Sequence, residues 1–485
     1  MADDTLIIGA GPAGMAAAMT LCDAGHRFTV VEKASQVGGL AKTLRIQEGD
    51  DLFRTDIGPH RFFSKNPALY RFIEGLLDER WIEVHRRTQQ FIDGKFYDYP
   101  INPAQALRNV GLKRAARMAG DYARSRVEYG LFDRSIDNFE DHIVAHFGRS
   151  LGELNMINYT EKIWGVPAAT IHPDWASQRI SGLSIRSAAR DLFQRSLNWP
   201  RGDRVKTLVD SFYYPETGAG LVYEVIQEKV EAAGNPVWLE SRPTRICHQE
   251  GRITGVDLVR DGETIALSPE HLVESIPITE LVTLLDPPPP VAVREAAASL
   301  RARSQVYLFL TLDKPSVSDC QWIYFPEPSI PFGRISEMRN FSRRMAPAGQ
   351  TSLFVEFFCF PNEAVWSMSA DGLLDLSLGW LSEMGFVHRH EVRQHYVYRA
   401  EGIYPIYDLD YRRPLRVIQD WLDQLENLHY IGRPGRFRYN NQDHSLEMGL
   451  LAAQGILEGR RVDLDAVGAD LDYYEAGQHP EADSG

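Results

Sequence analysis

A glycine-rich turn near the amino terminus has the residue types and spacing of a dinucleotide-binding site. The apolar run Leu6-Ile7-Ile8, typical of a buried parallel strand, leads directly into Gly9-Ala10-Gly11-Pro12-Ala13-Gly14. In such a turn the first glycine permits the tight bend, the second lets a pyrophosphate approach the backbone, and the third lets helix and strand pack closely. The following Ala-rich segment, Met15 to Ala24, predicts a helix whose N-terminus offers N–H groups and a positive dipole to phosphates. We therefore predict phosphate contacts at Gly9, Gly11, Pro12, Ala13 and Gly14.

An acidic residue follows at the end of the next predicted strand. Phe28 to Val31 is strand-like, and Glu32 comes 18 residues after Gly14. A carboxylate in that place accepts the ribose hydroxyls of a dinucleotide and repels a 2′-phosphate. Strand, glycines, helix, strand and acid in this order favour a bound dinucleotide over a glycine-rich turn without a ligand.

A second glycine pair comes directly after the acid, at Gly38-Gly39-Leu40-Ala41-Lys42-Thr43. The segment from Glu32 to Thr43 resembles the second glycine motif of a large flavoprotein group that contains amine oxidases, protoporphyrinogen oxidase, phytoene desaturases and UDP-galactopyranose mutase. The resemblance implies FAD as the cofactor. Many members of the group have Arg after the paired glycines, so a phosphate contact here would come from the backbone or from Lys42. The implied contacts are Glu32, Lys33, Gly38, Gly39 and Leu40.

A matching half-site is predicted near the carboxyl end. The short strand-like run Leu428 to Ile431 precedes Gly432-Arg433, and a polar stretch ending at Ser445 opens a final helix that Asp443 or Ser445 would cap. This stretch resembles the last flavin-binding motif of UDP-galactopyranose mutase and its relatives, and an ordinary capped helix is the alternative. The implied flavin contacts are Gly432, Arg433, Asp443, His444 and Ser445.

A hairpin-like alternation in the middle of the chain supplies one further candidate. Thr244 to Cys247 and Gly251 to Val256 alternate in the manner of two paired strands. In the flavoprotein group a segment of this kind returns to the first domain and places an Ile or Val near the adenine, which implies a contact for Ile246. A structural hairpin without a ligand is the alternative.

A histidine among aromatic residues is the first candidate for the reaction itself. In Asp56-Ile57-Gly58-Pro59-His60, the glycine and proline fix a turn immediately before the imidazole. Gly58-Pro59-His60 resembles the segment of UDP-galactopyranose mutase that places a His against the flavin, so we predict both a cofactor and a catalytic role for His60. The alternative is a structural histidine.

The other candidate catalytic residues are aromatic or cationic. The segment from Asn158 to Gly165 resembles the mutase's Tyr-Thr-x-Lys-Gln-Trp motif, with Ile163 in place of Gln, and Trp164 could stack on a ring. The alternative is an aromatic side chain packed at a helix end. Arg303 could bind phosphate or form a surface or interdomain ion pair, and Tyr404 and Tyr407 could grip an anionic or hydroxylated substrate.

These residues require a discontinuous arrangement of elements. We predict an α/β fold in which a Rossmann-like FAD-binding domain is formed by residues 1–75, 216–280 and 425–465. An inserted α+β substrate domain is predicted for residues 76–215 and 281–424, with a polar tail over residues 466–485. Four consecutive prolines, Pro287 to Pro290, interrupt helix and strand at one crossing between the domains.

Composition limits the compartment and the partners. The formal net charge of −14 disfavours nucleic acid, and four scattered cysteines without a CxxC pair argue against a metal site or a disulfide framework and fit a reducing cytoplasm. No apolar run is long enough to span a membrane. The basic stretch 108–126 is either a solvated helix face or a dock for a membrane or lipid-linked substrate. The oligomeric state stays open.

Three classes of function fit these motifs. In the first, the chain is an FAD-dependent oxidoreductase in which a small-molecule substrate loses hydride to flavin N5. In the second, a UDP-galactopyranose-mutase-like isomerase acts without net redox change on a nucleotide sugar or other glycosyl or phosphate-bearing substrate through reduced flavin. The third class is a flavin-bound protein with only a structural or partner-binding role.

Overall fold

A five-stranded parallel sheet forms the centre of the first half of the fold. The computed structural model describes residues 4–99, 103–132, 134–176 and 211–468. The strand that precedes the glycine turn is central and completely buried, as expected for a parallel sheet covered on both faces. The strands, in spatial order, are Leu428–Tyr430, His271–Glu274, Thr5–Ile8, Phe28–Val31 and Val237–Trp238.

The two faces of this sheet are covered by different layers, because successive side chains of a strand point in opposite directions. Ile7 and Val273 pack on one side with the helix that follows the glycine turn, whereas Leu6 and Ile8 pack on the other side with Ile246. The helices on the first face are Pro12–Asp23, Leu221–Ala232 and Gln442–Glu458. The four-stranded sheet that contributes Ile246 consists of Glu263–Leu267, Arg252–Arg260, Arg242–Gln249 and Leu285–Asp286.

Two glycines let the first and last helices and the first strand approach one another. A Cβ on Gly14 would lie 1.9 Å from the carbonyl oxygen of Gly9, and one on Gly449 would lie 2.1 Å from the carbonyl oxygen of Ala13. Neither distance leaves room for a methyl group. The final helix therefore lies directly against the helix that starts the chain.

A seven-stranded mixed sheet forms the second half of the fold. The faces of its strand Ala302–Leu312 differ: Val306, Leu308 and Leu310 lie in an apolar cluster with the helix Ala370–Glu383, whereas Gln305 and Tyr307 point to the opposite face. The strands, in spatial order, are Val392–Pro405, Ala302–Leu312, Thr351–Cys359, Arg334–Ser336, Trp322–Tyr324, Thr88–Ile92 and Lys95–Asp98.

The remaining elements connect these sheets. Two antiparallel pairs are formed by Thr43–Glu48 with Asp51–Asp56 and by Trp81–His85 with Ser211–Pro215. The other helices are Pro67–Leu77, Pro103–Val110, Leu112–Gly130, Phe139–Phe147, Arg149–Gly152, Asn158–Trp164, Ile278–Leu284, Val291–Ser299, Ala364–Ser367, Arg412–Leu422 and Gly432–Gly435.

This architecture confirms the predicted fold class, a mixed α/β fold with a Rossmann-like parallel sheet and a separate mixed sheet. All five parallel strands come from the three segments assigned to the FAD-binding domain. The domain boundaries themselves stay a prediction, and residues 177–210 and 469–485 of the predicted substrate domain and tail lie outside the described residues. In the described part of the chain, no helix combines the length and the apolar character that a membrane span requires.

Candidate functional site

The two glycine motifs predicted from the sequence lie in direct backbone contact, and the Gly38 amide donates a hydrogen bond to the carbonyl of Ala10 at 2.7 Å. Gly9 has a positive φ of 97° at the end of its strand, and the helix begins at Pro12. A Cβ on Gly39 would lie 3.0 Å from the Cα of Gly11, and one on Gly11 would meet only the Cα of Gly39, at 3.9 Å. The two turns therefore form a cradle of exposed backbone in which side chains are absent.

Glu32 borders this cradle and is fixed by the backbone. Its Oε2 accepts a hydrogen bond from the amide of Ala10 at 2.8 Å, and its Oε1 accepts one from the amide of Ala34 at 2.9 Å. Each carboxylate oxygen keeps a second acceptor direction for a ribose hydroxyl. Lys33, beside it, is exposed.

The side chain after the paired glycines points elsewhere. Leu40 is partly buried, and the Lys42 ammonium lies 5.6 Å from the centre of the Tyr398 ring in the mixed sheet. Of the two sources of phosphate contact expected from the sequence, the structure therefore favours the backbone over Lys42.

The carboxyl-terminal half-site opens on the same side of the parallel sheet. Gly432 takes a positive φ of 76° after the edge strand, and the final helix begins at Gln442. Asn441, rather than Asp443 or Ser445, caps that helix: its side chain accepts a backbone hydrogen bond, while Nδ1 of His444 accepts one from the Asn441 amide at 3.2 Å. The Ser445 hydroxyl donates to the carbonyl of Asn441 at 3.2 Å.

Asp443 is a buried carboxyl group with unused hydrogen-bonding capacity. Only 2% of the residue is exposed, and its Oδ1 has no partner among the described residues. Burial raises the pKa of Asp443 to about 8, against the opposing effect of hydrogen bonds from the His444 amide and the Ser64 side chain. Such a group can accept or donate a hydrogen bond to a polar ligand placed at the start of the helix.

Arg433 presents a guanidinium group to the same region. Its Cζ lies 4.5 Å from the ring centre of Tyr404 and 4.3 Å from that of Tyr439. Its Nε and one terminal nitrogen are buried without an acceptor in the described part of the chain. A cation held against two rings, with two donors unused, fits an electron-rich ligand edge.

His60 lies between the two halves of the fold. The positive φ of Gly58, 92°, turns the chain so that Nε2 of His60 donates to the carbonyl of Ile57 at 2.9 Å. Burial, together with the neighbouring cations Arg334 and Arg433, lowers the pKa of His60 to about 4. The imidazole is therefore neutral near pH 7, and its Nε2–H is committed to the backbone.

The predicted catalytic aromatic residues converge on Arg433. Tyr404 and Tyr439 stack with ring centres 5.6 Å apart, and the Tyr407 hydroxyl accepts a hydrogen bond from the Tyr439 amide at 2.8 Å. Trp164 is only 2% exposed and contacts Trp175 and both stacked rings edge-on. Trp164 thus packs inside the cluster, as in the alternative considered from the sequence, and orients the rings that border the site.

Arg303 is also held by protein partners. It is 4% exposed, ion-paired with Glu363 at 2.5 Å, and bonded to the carbonyl of Phe358 at 3.0 Å. Gly165 allows this placement, because a Cβ there would lie 2.4 Å from Cζ of Arg303. The alternative predicted from the sequence was a surface or interdomain ion pair, whereas the observed pair joins a buried Arg303 to Glu363 within one predicted domain. A phosphate-binding role would require Glu363 to move. Ile246 is fully buried in the apolar layer beneath the parallel sheet.

A buried ion pair that the sequence analysis did not predict packs against the turn that precedes His60. Arg334 binds both oxygens of Glu356, at 2.6 and 2.7 Å, and Glu356 is fully buried. A Cβ on Gly58 would lie 3.5 Å from a terminal nitrogen of Arg334. A carboxylate inside the otherwise apolar strand Thr351–Cys359 was the sequence signal that could have revealed this pair.

The carboxyl group of Asp56, which the sequence analysis also did not predict, links three separate segments of the chain. Asp56 is fully buried and accepts hydrogen bonds from the Thr43 hydroxyl at 2.6 Å, the Tyr214 hydroxyl at 2.5 Å and the Ala219 amide at 3.1 Å. Burial raises its pKa to about 6.

No group of three or more metal-binding side chains that could hold an ion occurs within the described ranges.

Comparison with known proteins connects this geometry to flavoproteins. A sequence model of the family described as flavin containing amine oxidoreductase matches residues 12–397. The L-amino-acid oxidase BjussuLAAO-I of Bothrops jararacussu is 22% identical over 360 residues, covering 68% of this chain and 66% of the relative. A probable UDP-galactopyranose mutase of Klebsiella pneumoniae is 26% identical over 165 residues, covering 33% of this chain and 41% of the relative. The matched region thus spans less than two thirds of either curated relative's length.

Solved structures share the fold over nearly the whole chain. Reduced UDP-galactopyranose mutase superposes with a TM-score of 0.81 at 20% identity, covering 97% of this chain and 98% of that one. A protein described as a putative protoporphyrinogen oxidase from Exiguobacterium sp. 255-15 superposes with a TM-score of 0.69 at 16% identity, covering 94% and 98%. At these identities the likeness shows the common fold.

Proposed function

From the premise that this chain belongs to the flavin-containing amine oxidoreductase family, we propose that it is an FAD-dependent oxidoreductase of a small-molecule substrate. FAD is the cofactor of the family, and the residues present fit it. The contacting glycine turns present backbone without side chains, and Arg433 and Asp443 hold buried polar atoms that have no partner among the described residues. When bound, FAD supplies a two-electron acceptor that no side chain can provide.

We assign the two halves of the cofactor to the two half-sites. Gly9, Gly11 and the amide groups at the start of the first helix would hold the pyrophosphate, and Glu32 would hold the adenosine ribose. Arg433 and Asp443 would hold the polar edge of the flavin ring. Lys33, Leu40, Ile246, His444 and Ser445 would border the cofactor or shape its surroundings.

The observation that carries the proposal is the aromatic enclosure beside Arg433. Tyr404 and Tyr439 close one side of the site with Trp164 packed behind them, and the neutral imidazole of His60 lies near Arg433. Such walls exclude water and hold a substrate in one orientation, which is the contribution that the protein must make to a flavin reaction. In this assignment His60 is a positioning residue, because its donor already binds Ile57.

The decisive experiment uses the purified holoenzyme under anaerobic conditions. Mixing with a panel of amines, amino acids and other reduced small molecules should bleach the visible absorbance of oxidised flavin for at least one class. Arg433→Lys should slow that bleaching strongly, since a lysine cannot lie as a planar cation against the two rings. Arg438→Lys is the matched control, because Arg438 binds the Asp465 backbone away from the enclosure.

A second candidate is non-redox sugar chemistry. The 165-residue match to a probable UDP-galactopyranose mutase favours it, as does the mutase-like segment ending in Trp164 and Gly165. In that case nucleotide sugars would turn over only after prior reduction of the enzyme, without net electron transfer, and the anaerobic panel would leave the oxidised spectrum unchanged. That combination of results would replace the first proposal with the second.

A further inference from the structure

An exposed basic surface lies on the predicted substrate domain, at a distance along the chain from every assigned cofactor residue. We define it as the helices Pro103–Val110 and Leu112–Gly130 with the described residues that follow them, 131, 132 and 134–136. Residues 103–136 contain seven lysines and arginines and three acidic residues, within a chain whose net charge is −14. The surface is thus a local concentration of positive charge on an acidic protein.

Most of these cations form no ion pair with the residues that the structure describes. Arg108, Lys113, Arg117 and Arg126 are exposed and form no ion pair with any described residue. Arg114 pairs with Asp93 and Arg124 with Glu128. These four cations, on two consecutive helices, produce a positive electrostatic potential that an anionic partner could neutralise.

The same surface also carries an unusual share of exposed apolar side chains. Among the described residues, ten large apolar side chains are exposed, and six of them lie on this surface. Leu112, Leu131 and Phe132 are exposed to 80%, 74% and 75%. The other three are Leu107, Val127 and Ile136. Burial of such groups against a partner is favourable at roughly 25 cal/mol per Å².

The longer helix is anchored on one side only. Ser125 is buried, and the Tyr129 hydroxyl donates to Asp141 of the helix Phe139–Phe147 at 2.8 Å. The backbone at Tyr122 packs so closely on Gly148 that a Cβ there would lie 2.8 Å away. The opposite side, which includes Lys113, Arg117 and Val127, remains exposed. The helix is therefore fixed to the fold while its outer side is free to dock.

We propose that this surface docks the protein on an anionic lipid bilayer, with the helix Leu112–Gly130 lying in the interfacial plane. A bilayer fits both observations, since its anionic headgroups neutralise unpaired cations and its acyl region receives exposed Leu and Phe side chains. A nucleic acid would neutralise the cations but would leave the exposed leucine side chains without an apolar partner. This inference goes beyond the proposed redox function and does not depend on it.

The test measures sedimentation of the full-length holoprotein with lipid vesicles. Vesicles of phosphatidylcholine containing about one third phosphatidylserine should bind the protein, and pure phosphatidylcholine vesicles should bind it much more weakly. Binding should weaken as the salt concentration rises, because the screening length falls from about 30 Å at 0.01 M to about 8 Å at 0.15 M.

Two sets of variants separate the surface from the overall charge. Lys113→Gln, Arg117→Gln and Arg126→Gln combined should lower partitioning onto the anionic vesicles by roughly a hundredfold, at about fivefold per cation. The matched control, Lys229→Gln, Arg242→Gln and Arg413→Gln combined, changes the net charge equally at exposed positions elsewhere and should retain binding. Leu131→Ser with Phe132→Ser should lower partitioning about tenfold or more. The flavin absorbance and the thermal midpoint of each variant verify the fold.

Three results would overturn the proposal. The first is equal binding to anionic and neutral vesicles by the native protein. The second is equal loss of binding in both triple variants, which would make the effect one of net charge. The third is a concentration-dependent dimer that the Leu131→Ser and Phe132→Ser change abolishes while vesicle binding is absent, which would assign the surface to a second copy of the chain.

Discussion

At the residue scale, the site is defined by positions where a side chain is missing and by polar atoms that lack a partner. Gly11 and Gly39 bring two partly exposed stretches of backbone into contact, whereas Gly14 is needed by the fold itself because Gly9 lies against it. Arg433 and Asp443 carry buried polar atoms that the described protein does not satisfy. Burying a polar group without a hydrogen bond costs free energy. A ligand that forms the missing hydrogen bonds removes this cost, which strengthens its binding.

Replacing Gly11 should remove the cofactor and leave the fold intact. The Cβ of Gly11→Val would meet only Gly39, at an ordinary contact distance, but the side chain would occupy the cradle. We expect purified Gly11→Val to lack the yellow flavin spectrum while its far-ultraviolet circular dichroism matches that of the wild type. Gly379→Val, where a Cβ enters open space on another helix, is the control and should retain flavin. A Gly11→Val protein with full flavin content would refute the assignment of this turn.

The buried carboxyl of Asp56 should make stability depend on pH. Its pKa is raised from 3.8 to about 6, so the native state binds this proton more tightly than the unfolded chain does. The unfolding free energy of the wild type should therefore fall, relative to Asp56→Asn, by about 2 kcal/mol as the pH rises from about 3.8 to about 6, and by about 3 kcal/mol over the whole titration. Urea unfolding of both proteins across this window measures the difference. Parallel pH curves for the two proteins would show that Asp56 titrates normally.

At the element scale, the site depends on how helices and loops are tied to the mixed sheet. The helix Asn158–Trp164 ends at the aromatic enclosure, and Lys162 on this helix donates to the carbonyls of Phe325, Glu327, Ile330 and Phe332. The motif lysine therefore holds a loop of the mixed sheet against the helix that carries Trp164. Its role in the described structure is to position the element.

Removing the Lys162 ammonium should weaken the contact between the helix Asn158–Trp164 and this loop of the mixed sheet. Lys162→Met would leave four carbonyls without their donor, at a cost of about 3 kcal/mol in unfolding free energy. Urea unfolding measures that loss, and limited proteolysis should cleave first in the loop between Phe325 and Phe332. Lys229→Met, on an exposed helix position, should change stability little. Equal stability of the Lys162 variant and the wild type would mean that water replaces the ammonium at no cost.

At the scale of the whole molecule, three distant segments of the chain build one sheet and one cofactor site. The strand Leu428–Tyr430 pairs with His271–Glu274, which in turn pairs with Thr5–Ile8. The glycine turn and the Arg433 half-site therefore meet only when both ends of the chain have folded. A ligand that contacts both halves binds the native state and not the unfolded chain.

Cofactor occupancy should consequently control global stability. Added FAD at about one hundred times its dissociation constant should raise the unfolding free energy of the apoprotein by about 2.7 kcal/mol. Denaturant unfolding of apoprotein with increasing FAD measures this gain, and Gly11→Val should show none of it. If the apoprotein gained the same stability from FMN, which lacks the adenosine half, the assignment of the glycine turn and Glu32 to the cofactor would be wrong.

The sequence by itself determined the cofactor class and the elements that hold it. Gly9, Gly11, Gly14 and Glu32 follow a local order of strand, turn, helix and strand, and local order can be read directly from a sequence. The parallel sheet confirms the α/β fold that this order predicted, and the family match confirms the flavoprotein group that the resemblance of the segment from Glu32 to Thr43 implied. The domain boundaries and the individual site residues stay predictions.

Only the tertiary structure decided how the candidate side chains are used. Trp164 packs inside an aromatic cluster, Arg303 pairs with Glu363, and Asn441 takes the capping position that had been expected for Asp443 or Ser445. Glu356 has a local signal, a carboxylate in an apolar strand, but its partner Arg334 could not be identified, because the two are 22 residues apart and meet across neighbouring strands. A side chain's role depends on partners brought together by long-range packing, and the spacing of a motif carries no information about those partners.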